Sequence, residues 1–164
     1  MSNPAPEPRT RVVYPVTGLA RLVTVALDRI LAEYRLSFAQ YRVLFVLDAD
    51  GEASGAEISR RLDVSSPTVV GLLSNLESVG LIRRLEPTGR RVPFALTATG
   101  QETFARAAER VDALDSHLCA LLSGEDLAAL EHAFKILTAE AKTVLAPPPA
   151  APYARLLANP AADR

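Results

Sequence analysis

The chain has 164 residues, 49% of them apolar, one cysteine and a formal net charge of −1. That is long enough for one domain with a real core and too apolar for a disordered chain. The near-neutral balance excludes a global positive field toward nucleic acid, so any such attraction has to be local, and a single cysteine excludes an internal disulfide framework and fits a reducing cytoplasm.

In chain order, residues 1–12 are rich in Pro and polar residues and are expected to form a disordered tail, without the apolar centre of a signal peptide. A helix follows from about Tyr14 to Tyr34. Leu19, Leu22/Val23, Ala26/Leu27, Ile30/Leu31 and Tyr34 recur along one side of it, a stripe wide enough for more than one partner. Ser37 and Gln40 form a capping box for the next helix, about Phe38 to Ala49, which Asp50-Gly51 closes.

The stretch Ser54–Leu96 reads as a winged helix-turn-helix. Ser54 and Glu57 make a second capping box ahead of Ile58 and Leu62. Ser66 is expected to cap the following helix, with Pro67 at its first position and Gly80 as its stop. At 100° per residue Val69, Leu72, Leu73 and Leu76 share the buried side. The opposite side carries Pro67, Gly71, Ser74 and Ser78, with Val70 and Thr68/Asn75 on the flanks, a small, uncharged outer surface, and Ser65 and Ser66 at the helix start join it as candidate DNA contacts. Such a surface suits a major groove: Gly71 lets the backbone approach, Val70 and the Thr68 methyl meet thymine methyls, and Ser or Asn reach base edges.

Two β-like runs come next, Leu81–Leu85 and Arg91–Leu96, split by Glu86-Pro87-Thr88-Gly89, which suits a type I turn. Val92, Phe94 and Leu96 alternate with Arg91, Pro93 and Ala95, and Pro93, which cannot donate to a ladder, points to an edge strand. Arg84, Arg90 and Arg91 flank the hairpin as candidate DNA contacts, Arg90 reaching for a narrow minor groove.

A long helix is expected from about Ala98 to Leu122, then a last one opened by Ser123 and Asp126. Leu127, Leu130, Phe134, Leu137, Ala141 and Val144 form an a/d seam along the last helix. These helices exceed what a small reading head can bury, and the surplus is best placed between two copies of the chain. The Pro-rich stretch 146–164 cannot continue a helix; Tyr153, Leu156 and Leu157 are its one apolar knot. The fold class is therefore mainly α with a small β-hairpin wing. Residues 36–97 form the reading head, and 13–35 with 98–145 a helical dimerisation region.

From about Leu36 to Gly100 the chain resembles the MarR family of transcriptional regulators. The matching pieces are LSFAQYRVLFVLDADGEASGAEISRRLDVSSPTVVGLLSNLESVGLIRR and, past the wing, FALTATG, similar to the family's Leu-Thr-x-x-Gly signature. Two features depart from the pattern: Thr88 stands where the family's wing carries an Asp before its Arg, and neither Gly71 nor Ser74 has the basic neighbour common in the family. The resemblance implies a homodimeric DNA-binding regulator, more commonly a repressor, on pseudo-palindromic operators. It also implies a pocket for a small, often anionic aromatic effector, for which Arg21, Tyr34, Tyr41 and Arg42 are candidate liners.

Other chemistries find little support. Cys119 lies among leucines, where a lone cysteine is a small core hydrophobe more often than an oxidant sensor. His117 and His132 lack any ligand-spacing motif, so no metal or cofactor is expected. There is no nucleophile elbow, phosphate loop or zinc-protease helix, and hence no catalytic residue. No apolar run approaches the ~18–20 residues of a membrane span. The expected partners are double-stranded DNA, a second copy and a small effector, in the cytoplasm. A winged helix used only for protein contact is the competing reading.

Overall fold

A computed structural model describes residues 10–89 and 91–145. The expected tails, with Tyr153, Leu156 and Leu157, fall largely or wholly outside the described residues, and so does Arg90. The elements are α1 (Val13–Leu31), α2 (Phe38–Asp50), β1 (Ala53–Ser54), α3 (Gly55–Leu62), α4 (Ser66–Ser78), β2 (Ile82–Arg84), β3 (Pro93–Leu96), α5 (Ala98–Cys119) and α6 (Gly124–Leu145). They fall into two compact units, divided within α5 after Leu114. Among the described residues no helix is long and apolar enough to cross a membrane.

In the first unit α1 passes at Leu31 into a single 3-10 turn, Ala32–Tyr34, which Arg35 ends with a left-handed φ of 56°. Leu27 and Leu31 of α1 are buried and Val23 packs partly on the core, while Leu19 and Leu22, nearer its start, are exposed. The Ser37–Gln40 capping box is present, and the Asp28 carboxylate accepts the Phe38 N–H at 2.7 Å, joining α1 to the start of α2. α2 is the floor of the core. Val43, Leu44, Val46 and Leu47 are almost fully excluded from water and pack with Ile58, Leu76, Ile82 and Phe104.

The sheet differs from the expected hairpin in three ways. A two-residue strand, β1, pairs with β3, so the order is β1-β3-β2 and β3 is central. Pro93 is therefore not on an edge. It is the first residue of a central strand, where no ladder donor is needed, and its carbonyl accepts the Leu85 N–H at 2.8 Å. All four β3 residues are buried, so the strand does not alternate between core and solvent. Finally, mutual hydrogen bonds between Thr88 and Arg91 close the hairpin, two residues later than the expected Pro87-Thr88 turn.

Leu81 joins three elements. Its N–H bonds to Leu76 O while the Gly80 N–H bonds to Glu77 O, the two bonds of a Schellman stop, with Gly80 at φ 74°. Its carbonyl accepts the Thr97 N–H at 3.1 Å and the Thr97 hydroxyl at 3.2 Å. Thr97 also caps α5 by accepting the Gly100 N–H at 3.0 Å. A Cβ on Gly100 would lie 1.9 Å from Leu81 O. That close approach is the physical content of the Leu-Thr-x-x-Gly signature.

In the second unit α5 ends at Cys119, short of the expected Leu122, and Ser123 starts α6, accepting the Asp126 N–H at 3.1 Å. Leu130, Phe134, Ile136 and Leu137 of α6 are exposed.

Candidate nucleic-acid interface

The reading head is built from local rules. In the Ser54–Glu57 box, Glu57 accepts both the Ser54 N–H and hydroxyl at 2.7 Å. α3 stops at Asp63, whose left-handed φ of 56° turns the chain, and the Ser59 hydroxyl donates to Val64 O at 2.6 Å across that turn. Gly55 lets α3 approach α4: a Cβ there would touch Leu73 at 3.4 Å. The cap of α4 is Ser65 rather than Ser66. Its hydroxyl, not that of its neighbour, lies 3.4 Å from the Thr68 N–H, which leaves Pro67 second in the helix.

The faces of α4 fall as the 3.6 period requires. Val69, Leu73 and Leu76 are buried and Leu72 partly so. Ser65, Ser66, Pro67, Thr68, Val70, Gly71, Ser74 and Asn75 are all exposed, Val70 at 64%. Nothing lies within 4 Å of a Cβ built on Gly71, so its surface is open. The Asn75 side chain is also engaged by α2: Gln40 Nε2 donates to Asn75 Oδ1 while Gln40 Oε1 accepts the Ser37 N–H. The side chain that caps α2 thus also holds α4.

Beside α4 lies a groove of about 720 Å³ lined by the start of α3, by Val70 and Ser74, and by Arg84, Arg91, Val92 and Phe94 of the wing. The arginines around it are mostly spoken for. Arg84 pairs with Glu77 at 3.2 Å and lies over the Phe94 ring, 5.2 Å from its centroid. Arg91 pairs with Glu52 and Glu57, and Arg61 with Asp50. Among the described residues Arg60 and Arg83 are exposed and make no ion pair. Residues 36–97 carry seven arginines and seven carboxylates, so the head as a whole has no net charge. The Ser54 N–H, the Ser54 hydroxyl and Arg91, in that order, lower the Glu57 carboxyl from 4.5 to about 2. Sequence reasoning noted the arginines but not these acidic partners.

The four candidate effector residues have separate surroundings. Tyr41 is buried and stacks on Phe104, with ring centroids 5.4 Å apart; burial, then Asp112 and Asp48, raise its hydroxyl pKa. Arg42 donates to Leu62 O at 2.7 Å, satisfying the end of α3. Tyr34 is half-buried with the Arg106 guanidinium 5.6 Å from its ring centroid, a partner the sequence did not single out. Arg21 is exposed on α1. In the second unit, burial and then the Asp115 carboxylate raise the Cys119 thiol pKa, which disfavours the reactive thiolate. Among the described residues no three His, Cys, Asp or Glu side chains gather as a metal site.

Residues 36–92 match the model of the MarR family. The HTH-type transcriptional regulator FarR of Neisseria gonorrhoeae is 29% identical over 85 residues, 51% of this chain and 58% of that protein. TtmR of Methylorubrum extorquens, also an HTH-type transcriptional regulator, is 34% identical over 94 residues, 56% and 48% of the two chains. The homoprotocatechuate degradative operon repressor of Escherichia coli is 25% identical over 105 residues, covering 63% and 71%. The chain thus spans about half the length of the first two relatives. Of solved structures, the Staphylococcus aureus MepR–DNA complex aligns with a TM-score of 0.76 at 22% identity, over 80% of this chain and 98% of that one. NadR in complex with 4-hydroxyphenylacetate aligns at 0.66 and 22% identity, over 84% and 97%. The winged helix-turn-helix of the fold thus coincides with residues 36–92, the part of the chain that matches the MarR family.

Proposed function

We propose that the chain is a homodimeric, sequence-specific DNA-binding transcriptional regulator, a repressor of pseudo-palindromic operators, released by a small effector. The observation that carries this reading is the outer side of α4. It is a continuous exposed surface of small, uncharged residues beside a wing and a groove, while Val69, Leu73 and Leu76 on the opposite side of α4 are buried in the core. Residues 36–97 act as the reading head, α4 entering a major groove through Ser65, Ser66, Pro67, Thr68, Val70, Gly71, Ser74 and Asn75. Arg84 and Arg90 supply backbone and minor-groove contacts.

Dimerisation through 13–35 and 98–145 is supported by apolar surface that a single chain leaves in water. Tyr14 is 72% exposed and Leu22 58% on α1, and Ile136 55% and Phe134 44% on α6. A head without net charge binds weakly alone, and joining two heads raises their effective concentration. The likeness to a MepR–DNA complex and to an operon repressor supports the DNA and repressor parts. The likeness to NadR holding 4-hydroxyphenylacetate supports an anionic aromatic effector, with Arg21, Tyr34, Tyr41 and Arg42 as candidate contacts. An effector that favours one spacing of the two heads over another shifts DNA affinity through the population of the competent state.

The test is a fluorescence-anisotropy titration against duplexes selected by the protein from random-sequence DNA. A dimer that neutralises about four to ten phosphates gives a log K against log salt slope of roughly −4 to −9. A docking module for another protein, which the neutral face of α4 also suits, gives no specific complex at any salt. Sedimentation at micromolar concentration tests the dimer.

A further inference from the structure

Arg91 stands where the hairpin's return strand begins, and its guanidinium is committed to the protein itself. Nη1 donates to Glu52 Oε1 at 2.7 Å, Nε donates to both Glu57 oxygens at 3.3 Å, and Nη2 lies 3.2 Å from Glu57 Oε2. Glu52 precedes β1 and Glu57 lies in the first turn of α3, closing that helix's capping box with Ser54. Ser54 in turn pairs with Pro93 in the sheet. One cation therefore ties the hairpin to the elements that start the helix-turn-helix. Its backbone also closes the hairpin through two bonds to Thr88. One positive charge between two carboxylates leaves this spot negative, which repels a phosphate.

We propose that Arg91 is a positioning residue: through Glu52 and Glu57 it bolts the wing to the start of α3 and sets the groove between wing and α4, without contacting DNA itself. The inference rests on the DNA-binding reading above, and its tests separate the two. The opposite role, direct binding of a phosphate, makes contrary predictions at each step. Deleting a side chain that neutralises a phosphate lowers the salt slope by about 1, whereas deleting a positioner weakens binding and leaves the slope unchanged. Removing a carboxylate frees a phosphate-seeking arginine and strengthens binding, whereas it loosens a bolt and weakens it. Lysine replaces a point charge but not a fork held by two carboxylates.

The experiment uses the full chain and a labelled duplex of about 30 base pairs, selected by the wild-type protein and long enough for two half-sites one turn apart. Expected are affinities lower by about tenfold or more for Arg91→Ala, Arg91→Lys and Glu52→Gln, each with the wild-type salt slope. Glu52 is an exposed side chain, so Glu52→Gln is a variant that keeps the fold. In the absence of DNA, hydrogen exchange at the Leu85 and Thr88 amides should quicken in Arg91→Ala while α2 is unchanged. A slope shallower by about 1 in Arg91→Ala, tighter binding by Glu52→Gln, or unchanged wing exchange overturns the proposal. If the wild-type chain binds no duplex, the DNA reading fails instead, and the exchange measurement alone decides whether Arg91 holds the wing.

Discussion

Gly100 is the position where one methyl group should do the most damage. A Cβ there would stand 1.9 Å from Leu81 O and 2.9 Å from Leu81 C, both backbone atoms held by neighbouring elements. Relief requires about 1 Å of separation between the start of α5 and the strand entry, an overpacking that typically costs about 1–3 kcal/mol. That movement also breaks the hydrogen bonds from the Thr97 N–H and hydroxyl to Leu81 O, each contributing about 0.5–1.5 kcal/mol. The higher helix propensity of Ala returns about 1 kcal/mol. Gly100→Ala is therefore expected to destabilise the fold by about 2–4 kcal/mol, a melting temperature lower by roughly 5–15 °C for a chain of this size. Gly71→Ala is the matched control, since its Cβ meets nothing within 4 Å and the same propensity should stabilise by up to about 1 kcal/mol. Urea unfolding followed by circular dichroism, at one fixed protein concentration because association shifts apparent stability, measures both. If Gly100→Ala unfolds at the wild-type midpoint, or gains stability as Gly71→Ala does, the close-approach account is wrong.

Gly71→Ala, though more stable, should bind operator DNA more weakly by about 1 kcal/mol, because its methyl stands on the face proposed to meet the bases; equal affinity would place that face elsewhere. Glu57 is depressed from 4.5 to about 2, so its contribution is full above 4.5 and is lost as pH falls toward 2; Glu57→Gln should flatten the urea midpoint over that window, and parallel curves would refute it. The Cys119 thiol, raised by burial and Asp115, should react with iodoacetamide at pH 7 more slowly than glutathione does, and Asp115→Asn should speed it; a faster native thiol would revive redox sensing. Phe134→Glu, placing a charge on the exposed side of α6, should shift sedimentation from dimer to single chains, and an unchanged coefficient would remove α6 from the interface.

What could be read from the sequence was what depends on near neighbours. Both capping boxes join residues three apart, the sides of α4 follow from 100° per residue, and Gly80 ends its helix by a local φ. Where two local solutions were equivalent, sequence could not choose: Ser65 and Ser66 are the same chemistry one step apart, and only the reach to the Thr68 N–H decides. Non-local pairing was out of view. β1 has two residues and no periodicity, yet it makes β3 central and turns an apparent edge proline into a strand start. Arg91 and Glu57 are 34 residues apart, so arginines that look available along the chain are neutralised in space. Tyr41 likewise offers a polar tip by its chemistry and lies in the aromatic core.

The backbone of Leu81 carries a mechanical corollary. Its amide terminates the probe helix, its carbonyl fastens the base of the following long helix, and the residue after it begins the flap. With all three meeting at one peptide and no flexible spacer between them, a tilt imposed on the base of α5 is transmitted to probe and flap together, like turning a key by its shank. An effector of the kind proposed above, by moving α5, would then reset the proposed grip on DNA from a distance, without touching the outer face of α4.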